Sequence, residues 1–183
     1  GGGGLTAAAW LQTDITCEGD DGASLLFQPH RTHISGLSWC PGGSGLYTVS
    51  YDGSLRFLDV EKGVFGLSHH SMEDEYSAMD VAHAEGLVFL ADNGGFLKRM
   101  DLKSGSVDPG LKLHSNKINS VQVEPSGRPL LATSSTDSSV CVWDLRKMGS
   151  KSQPLAQLLH GKSSHGAFWS PADGDSPCRP RNT

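Results

Sequence analysis

The chain has 183 residues, a net charge of −5 and a hydrophobic fraction of 37%, values typical of an ordinary folded domain rather than a disordered segment. The longest apolar run, residues 87–91, is far shorter than the roughly 20 residues of a membrane-spanning helix, so we expect no membrane span and no signal peptide. Cys17, Cys40, Cys141 and Cys178 show neither disulfide nor metal-ligand spacing, which favours a reducing compartment.

The first 24 residues carry few strand signals. Gly and Ala runs at residues 1–4 and 7–9 predict a low-complexity leader over residues 1–24. Residues 25–28 predict an isolated outer strand. Residues 46–60, LYTVSYDGSLRFLDV, then predict two strands joined by a Tyr-Asp-Gly turn.

Two further copies of this strand pattern follow along the chain. The weaker copy predicts strands at residues 78–81, 87–91 and 96–101. The clearest copy contains LLATSSTDSSVCVWDLR at residues 130–146, where apolar side chains alternate on both sides of a Ser-Thr-Asp turn. It predicts four strands, at residues 118–123, 130–134, 139–143 and 156–159.

A histidine precedes the first strand of each clear copy. His30, His114 and His160 are each followed by a proline 11 residues later. His30 and His114 are 84 residues apart, which leaves space for the weaker copy and gives a period of about 42 residues, as in WD repeats. The sequence therefore predicts an all-β fold, a partial WD-repeat β-propeller built from four-stranded blades.

The predicted propeller segment covers residues 25–173. Its three repeats lie at about residues 30–68, 70–113 and 114–159. Residues 160–173 begin the next repeat, and residues 174–183 form an irregular tail. Because a propeller typically closes with roughly 4 to 8 blades, we interpret the chain as about three blades plus flanking strands of a seven-bladed disc. It would then be a piece of a longer propeller, or a faulty gene model of one.

The resemblance to WD repeats implies a buried hydrogen-bonded tetrad of His114, Ser135, Asp137 and Trp143. Burial of an imidazole and a carboxylate is tolerable only when each is paired, so the tetrad would clamp the strands together. The same Ser, Asp and His could instead form a hydrolase triad. No G-x-S-x-G motif accompanies them, and the repeat explains all three residues, so we expect no enzyme.

The other two repeats keep the tetrad less completely. His30, Ser50 and Asp52 retain three positions, but Leu58 stands where Trp belongs. The middle repeat has Met100 at the Trp position and Gly94 at the position of the turn Asp. We expect these changes to weaken the polar clamp and to leave the strand pattern intact.

Longer strings narrow the resemblance to one group of WD-repeat proteins. These strings are SYDGSLRFLDVEKGVF at residues 50–65, INSVQVEPSGRPLLATSSTDSSVCVWDLRK at 118–147 and LLHGKSSHGAFWSP at 158–171. They resemble the nuclear group of WD repeat-containing protein 76, changed mutation rate protein 1 and damaged-DNA-binding protein 2. The resemblance implies a non-catalytic protein that binds damaged or modified DNA and chromatin proteins, located in the nucleus, with the cytoplasm as an additional location.

The third repeat ends in Trp143, Asp144, Leu145 and Arg146. This ending resembles the motif by which many WD proteins dock on damaged-DNA-binding protein 1, the adaptor of cullin 4 ubiquitin ligases, and implies docking through Trp143, Asp144 and Arg146. A planar arginine fork suits carboxylates and carbonyls across an interface. A solvated charge on a loop is the other interpretation of Arg146. The alternative functions are therefore a ligase substrate receptor or a generic WD-repeat scaffold.

A cation follows each clear histidine within three residues: Arg31, Lys117 and Lys162. Repeat symmetry places these cations on one rim of the disc, opposite Arg146, where they could neutralise DNA phosphates. The net charge of −5 and the acidic residues 73–75 favour the alternative of scattered surface cations. We expect no metal, no cofactor and no small-molecule substrate, because no motif for any of them is present.

Overall fold

The computed structural model describes residues 6–10, 14–18, 24–149 and 152–170. Regular structure in these residues is β-strand, apart from two short 3-10 turns at Pro41–Gly43 and Leu145–Lys147. The strands form one three-stranded sheet and three four-stranded sheets, all antiparallel, so the expected all-β architecture is confirmed. Within this described portion, no helix combines the length and apolar character needed to cross a membrane.

The chain divides into two compact units, Gly1–Tyr76 and Ser77–Thr183. The first unit opens with a three-stranded sheet of β1 (Thr6–Trp10), β2 (Asp14–Glu18) and β3 (Ser24–Phe27). Strands β1 and β2 lie in the segment for which the sequence indicated a low-complexity leader with few strand signals. Alanine has a low intrinsic strand preference, so propensity missed residues 7–9, which become a strand by pairing with β2.

A four-stranded sheet, here blade one, completes the first unit. Leu46 and Leu58 are buried and pack with Ile15, Phe27 and Phe65, so that the two sheets of this unit share a core. Its outer strand is mostly exposed. The four strands are β4 (Ile34–Trp39), β5 (Gly45–Ser50), β6 (Ser54–Asp59) and β7 (Val64–His70).

Two further four-stranded sheets, here blades two and three, form the second unit. Blade two contains β8 (Tyr76–Ala82), β9 (Leu87–Asp92), β10 (Phe96–Asp101) and β11 (Leu111–Lys112). Blade three contains β12 (Ile118–Val123), β13 (Leu130–Ser135), β14 (Ser139–Asp144) and β15 (Ala156–Leu159). Each expected strand of these two repeats is present, with bounds within two residues of the prediction.

Side chains of each first strand bond to the backbone of the next repeat in this unit. Ser77 Oγ donates to the Ile118 carbonyl at 2.6 Å, and Asp80 accepts from the Val123 amide at 2.8 Å. One repeat later, the Asn119 amide donates to the Ser164 carbonyl, and Gln122 accepts from the Trp169 amide. Residues 164–170 therefore lie beside β12 in the same way as β12 lies beside β8. They occupy the place that the first strand of another repeat would take.

Candidate functional sites at the two ends of blade three

A buried hydrogen-bonded cluster joins the strands of blade three around His114. Its Nε2 lies 2.7 Å from Thr133 Oγ1, and its Nδ1 lies 3.0 Å from both Asp137 Oδ2 and Ser139 Oγ. The Trp143 indole nitrogen donates to the same Thr133 hydroxyl at 2.9 Å. The polar groups of His114 and Trp143 are thus paired although both side chains are buried.

The structure corrects one member of the expected tetrad: Thr133 occupies the strand position that we assigned to Ser135. Ser135 Oγ donates to the Asn116 carbonyl at 3.2 Å and accepts from the Asp137 amide, so it closes the turn and does not contact the imidazole. Residues two apart in a strand share a face, so alternation alone could not separate these two positions. The Ser, Asp and His of the alternative hydrolase triad are accordingly not assembled.

The electrostatics of the cluster fit a neutral histidine beside an ionised aspartate. Burial lowers the pKa of His114, and the Asp137 charge opposes this only partly. Burial alone would raise the pKa of Asp137, but hydrogen bonds from Ser139, Ser115 and His114 together lower it to about 2. The neutral imidazole can then donate from Nδ1 to Asp137 and accept from Thr133 at Nε2. The cluster is a structural clamp between strands.

Blade one repeats this arrangement without the indole. His30 Nε2 lies 2.7 Å from Thr48 Oγ1, and its Nδ1 lies 2.9 Å from Ser54 Oγ and 3.3 Å from Asp52 Oδ2. Leu58 stands in the Trp position and is buried. Ser50, like Ser135, bonds to a loop carbonyl instead. In the observed clusters, Thr48 therefore holds the position that we predicted for Ser50, and Thr133 holds the one that we predicted for Ser135.

Blade two has lost the polar cluster. Leu90 and Met100 are buried at the positions of the Thr and the Trp, and Gly94 stands at the turn Asp position. Met72, at the position of the missing histidine, is 91% exposed. An apolar pair thus fills the space that polar side chains occupy in blades one and three.

Arg146 lies in the 3-10 turn that follows β14, at the end of blade three remote from the His114 loop. Its Nε and Nη2 donate to the two carboxylate oxygens of Asp144, each at 2.9 Å, and its amide donates to Asp144 Oδ1. The Arg146 side chain is 71% exposed, whereas that of Asp144 is 5% exposed. The hydrogen bond from Arg146 is the main cause that lowers the pKa of Asp144 to about 2.

Of the three residues assigned to adaptor docking, Arg146 alone presents a large exposed side chain. Trp143 is buried in the His114 cluster, and Asp144 is buried beneath the guanidinium that it orients. The arrangement offers a pre-oriented, charged fork to a partner. The sequence indicated Arg146 but gave no sign that Asp144 would be buried beneath it.

The rim cations lie at the opposite end of their blades. The Lys117 carbonyl accepts from the Thr136 amide, and the His160 and Ser164 amides donate to Ser138 and Ser135. Lys117 and Lys162 therefore flank the β13–β14 turn of blade three; Lys117 is half-buried and Lys162 is exposed. Arg31 is exposed in the equivalent place of blade one, where its amide donates to Asp52.

Comparison with known protein families identifies the repeats. The family described as WD domain, G-beta repeat matches residues 23–59 and 106–144. A chain in the crystal structure of the mitotic checkpoint complex has the same fold, with a TM-score of 0.79 at 18% sequence identity, over 93% of this chain and 54% of that chain. The chain is therefore a WD-repeat protein whose sheets are blades of a partial β-propeller.

Curated relatives narrow this class. WD repeat-containing protein 76 of Xenopus laevis is 30% identical over 91% of this chain and 29% of its own length. DNA damage-binding protein 2 of Gallus gallus is 33% identical over 70% of this chain and 27% of its own length. DNA damage-binding protein CMR1 of Coccidioides immitis is 30% identical over 86% of this chain and 33% of its own length. The predicted resemblance to this group is confirmed. The chain spans about a third or less of the length of these relatives.

Proposed function

We propose that this chain belongs to a non-catalytic nuclear protein that binds damaged or modified DNA and chromatin proteins in the response to DNA damage. Two of the similar relatives carry DNA damage-binding in their names. The proposal extends that property to this chain and assigns the contact with DNA to the rim cations. The nuclear location follows from this role, because the DNA is there, and the cytoplasm is proposed as an additional location.

The observation that carries the proposal is the grouping of Lys117 and Lys162 at one turn of blade three, with Arg31 at the equivalent place of blade one. Lysine and arginine neutralise phosphates, and phosphate contacts supply most of the affinity that is independent of sequence. Because the net charge is −5, DNA would have to bind to a local cationic surface rather than to the protein as a whole.

The test is a triple charge reversal of Arg31, Lys117 and Lys162 to Glu in the intact protein. We expect weaker binding to duplexes of every sequence, since phosphate contacts position DNA without reading bases. Lys103→Glu is the matched control, because Lys103 is exposed at the opposite end of blade two. If the triple variant bound all duplexes as tightly as the parent, DNA binding would lie elsewhere or be absent.

A second function is favoured by Arg146. We propose that it docks on damaged-DNA-binding protein 1, so that the protein also serves as a substrate receptor of a cullin 4 ligase. The supporting observation is an exposed guanidinium held by a buried carboxylate at the end remote from the rim cations. Two binding roles at opposite ends of one blade can coexist.

The docking proposal is tested by Arg146→Glu in a pull-down of the adaptor. Charge reversal removes the fork and places an unpaired carboxylate in the contact, so we expect capture to be abolished. Lys103→Glu again serves as control, since Lys103 occupies the equivalent turn position in blade two. Unchanged capture by a folded Arg146→Glu protein would leave a generic scaffold as the better description.

A further inference from the structure

A second arginine lies beside Arg146 at the same end of blade three. The loop between β12 and β13 contains Glu124 and Arg128, and its last residue, Pro129, accepts a hydrogen bond from the Leu145 amide at 2.9 Å. This bond ties the loop to the turn that carries Arg146. The side chains of Arg128 and Arg146 therefore belong to two adjoining loops of one surface.

Each arginine is held by a carboxylate that lies beneath it, Arg146 through two side-chain nitrogens and Arg128 through one. Arg128 donates to Glu124 through Nη2 at 3.2 Å and through its amide at 3.0 Å. The Glu124 side chain is 1% exposed, whereas that of Arg128 is 40% exposed. The pairing of Asp144 with Arg146 repeats this contrast. At both positions the carboxylate is buried; the Arg146 side chain is largely exposed, whereas that of Arg128 is partly exposed and its Nε is buried.

The buried carboxylates stay ionised and so keep the guanidiniums in place. Burial alone would raise the pKa of Glu124, but hydrogen bonds from Ser126 and Arg128 together lower it. Glu124 accepts from the Ser126 amide and hydroxyl in addition to Arg128. The surface is consequently pre-organised, which reduces the entropic cost of binding a partner.

We infer that Arg128, Arg146 and the exposed Lys147 form one docking surface for an acidic segment of a partner protein. The inference rests on the proposed docking role of Arg146, adds Arg128 and Lys147 to it, and specifies the chemistry of the partner. Guanidinium forks form directional, charge-assisted bonds with carboxylates. Leu145 and Met148, on either side of these cations, are half-buried and pack against the core of this unit, so that they support the turn that carries Arg146.

The charge balance favours a protein over DNA at this end. The three cations are offset by Glu124 and Asp144, which leaves one net positive charge. Affinity for a duplex grows with the number of phosphates neutralised, so one net charge gives little of it. Individual guanidinium–carboxylate bonds do not need a large net charge.

The equivalent ends of the other blades lack this pair of arginines. The same backbone bond links Leu102 to Gly86 in blade two and Val60 to Ser44 in blade one. The turn of blade two has Lys103 at the position of Arg146, and that of blade one has Glu61. Blade three alone, among the blades described, thus carries paired cations here, and Lys103 provides a matched control.

The experiment measures binding of a capped, fluorescein-labelled peptide of alternating Glu and Ser residues to the intact protein, by fluorescence anisotropy. We expect Arg128→Glu and Arg146→Glu each to weaken binding about tenfold or more, and Lys103→Glu to change it less than about twofold. Added salt should also weaken binding, because the contacts are exposed. A peptide with Gln in place of Glu should not bind.

Two variants guard against loss of fold, because Arg128→Glu places a second carboxylate beside buried Glu124. Arg128→Gln removes the charge but keeps an amide that can donate to Glu124, and Lys147→Glu changes an exposed residue outside both clamps. Each should weaken peptide binding, and the melting temperature should hold in Lys147→Glu. No binding of the Glu peptide, equal loss with Lys103→Glu, or full binding by Arg128→Gln and Lys147→Glu would overturn the inference. Loss of duplex DNA binding in these variants, with peptide binding unchanged, would overturn it as well.

The adaptor pull-down separates this inference from the docking proposal. In one outcome, Arg146→Glu abolishes adaptor capture, but the Arg128 and Lys147 variants still bind the peptide and still capture the adaptor. The inference of an extended surface is then wrong, and the docking proposal for Arg146 stands. If all these variants lose the acidic peptide while Arg146→Glu still captures the adaptor, the surface stands and its partner is another acidic protein.

Discussion

Blades one and three hold their histidines by the same contacts, yet only blade three adds an indole. In both, the imidazole lies between a strand threonine and a turn aspartate, with a serine at the start of the third strand. In blade three, Trp143 also donates to the threonine. The polar clamp is therefore built on histidine, threonine and aspartate, and tryptophan is an addition to it.

Blade two extends the comparison to a blade without the clamp. Leu90 and Met100 fill the equivalent space and are fully or almost fully buried. Replacement of a complete buried polar set by apolar residues is often neutral, whereas removal of one member leaves the others unpaired. Repeats of this kind can therefore lose the whole cluster and still keep their sheet.

The largest expected effect comes from the indole that distinguishes blade three. Trp143→Ala should lower the free energy of unfolding by about 3–5 kcal/mol, because it removes a buried aromatic side chain and leaves a cavity. Urea denaturation of the intact protein measures this loss. A change below about 1 kcal/mol would mean that Trp143 contributes little to the core.

The next effect separates the two threonines. Thr133→Val keeps the shape but removes the hydroxyl that His114 Nε2 and Trp143 Nε1 share, while His114 Nδ1 keeps Asp137 and Ser139. We therefore expect a loss of about 2–3 kcal/mol in the free energy of unfolding. Thr48→Val removes the partner of His30 Nε2 alone, because His30 Nδ1 keeps Asp52 and Ser54, and should cost about 1–2 kcal/mol. Equal losses for Thr133→Val and Thr48→Val would contradict a contribution from the bond between Trp143 and Thr133. A larger loss for Ser135→Ala than for Thr133→Val would show that the threonine is not the centre of the clamp.

A smaller effect should appear on acidification. The pKa values of His30 and His114 are lowered from 6.5 in the folded protein, so the unfolded chain binds protons first as the pH falls. The stability that depends on the neutral imidazoles is therefore present above pH 6.5 and is lost below it. Asp137, with a pKa lowered from 3.8 to about 2, adds a second loss below pH 3.8.

Melting temperatures measured from about pH 8 to about pH 5 check the first of these losses. His114→Gln should lower stability at neutral pH and also flatten the decline, since it removes one titrating group. A stability that rose as the pH fell through this range would contradict a neutral imidazole in the folded state.

The smallest effect on stability is expected at the turn that follows the third strand of blade one. Asp59 pairs with Lys62 three residues later, and the lysine is 77% exposed. Exposed pairs of this kind contribute little, so Lys62→Glu should leave the melting temperature nearly unchanged. Arg146→Glu should keep the protein folded but lower its melting temperature, because it removes the partner of buried Asp144 and places a second carboxylate beside it. Circular dichroism with thermal melting checks both variants. Unfolding by Arg146→Glu would make this residue a structural one.

The sequence predicted more of the fold than of the sites. Alternation and the histidine spacing located the strands of blade three, including the edge strand Ala156–Leu159. Strand β1 was missed because its alanines carry no pattern and its structure depends on pairing with β2. Thr133 was missed because it shares a face with Ser135. Burial of Asp144 and Glu124 beneath arginines arises from tertiary packing, which no local pattern reports.

The salt dependence of DNA binding separates the two ends of the blades most directly. The Arg31, Lys117 and Lys162 triple reversal to Glu should flatten the slope of log affinity against log salt by about 0.9 for each phosphate that the protein no longer neutralises, or about 2.7 in all. Arg146→Glu, at the other end, should leave that slope unchanged. A parental slope in the triple variant, or an equal change in Arg146→Glu, would contradict DNA contacts by these three cations and a protein-docking role for the turn of Arg146.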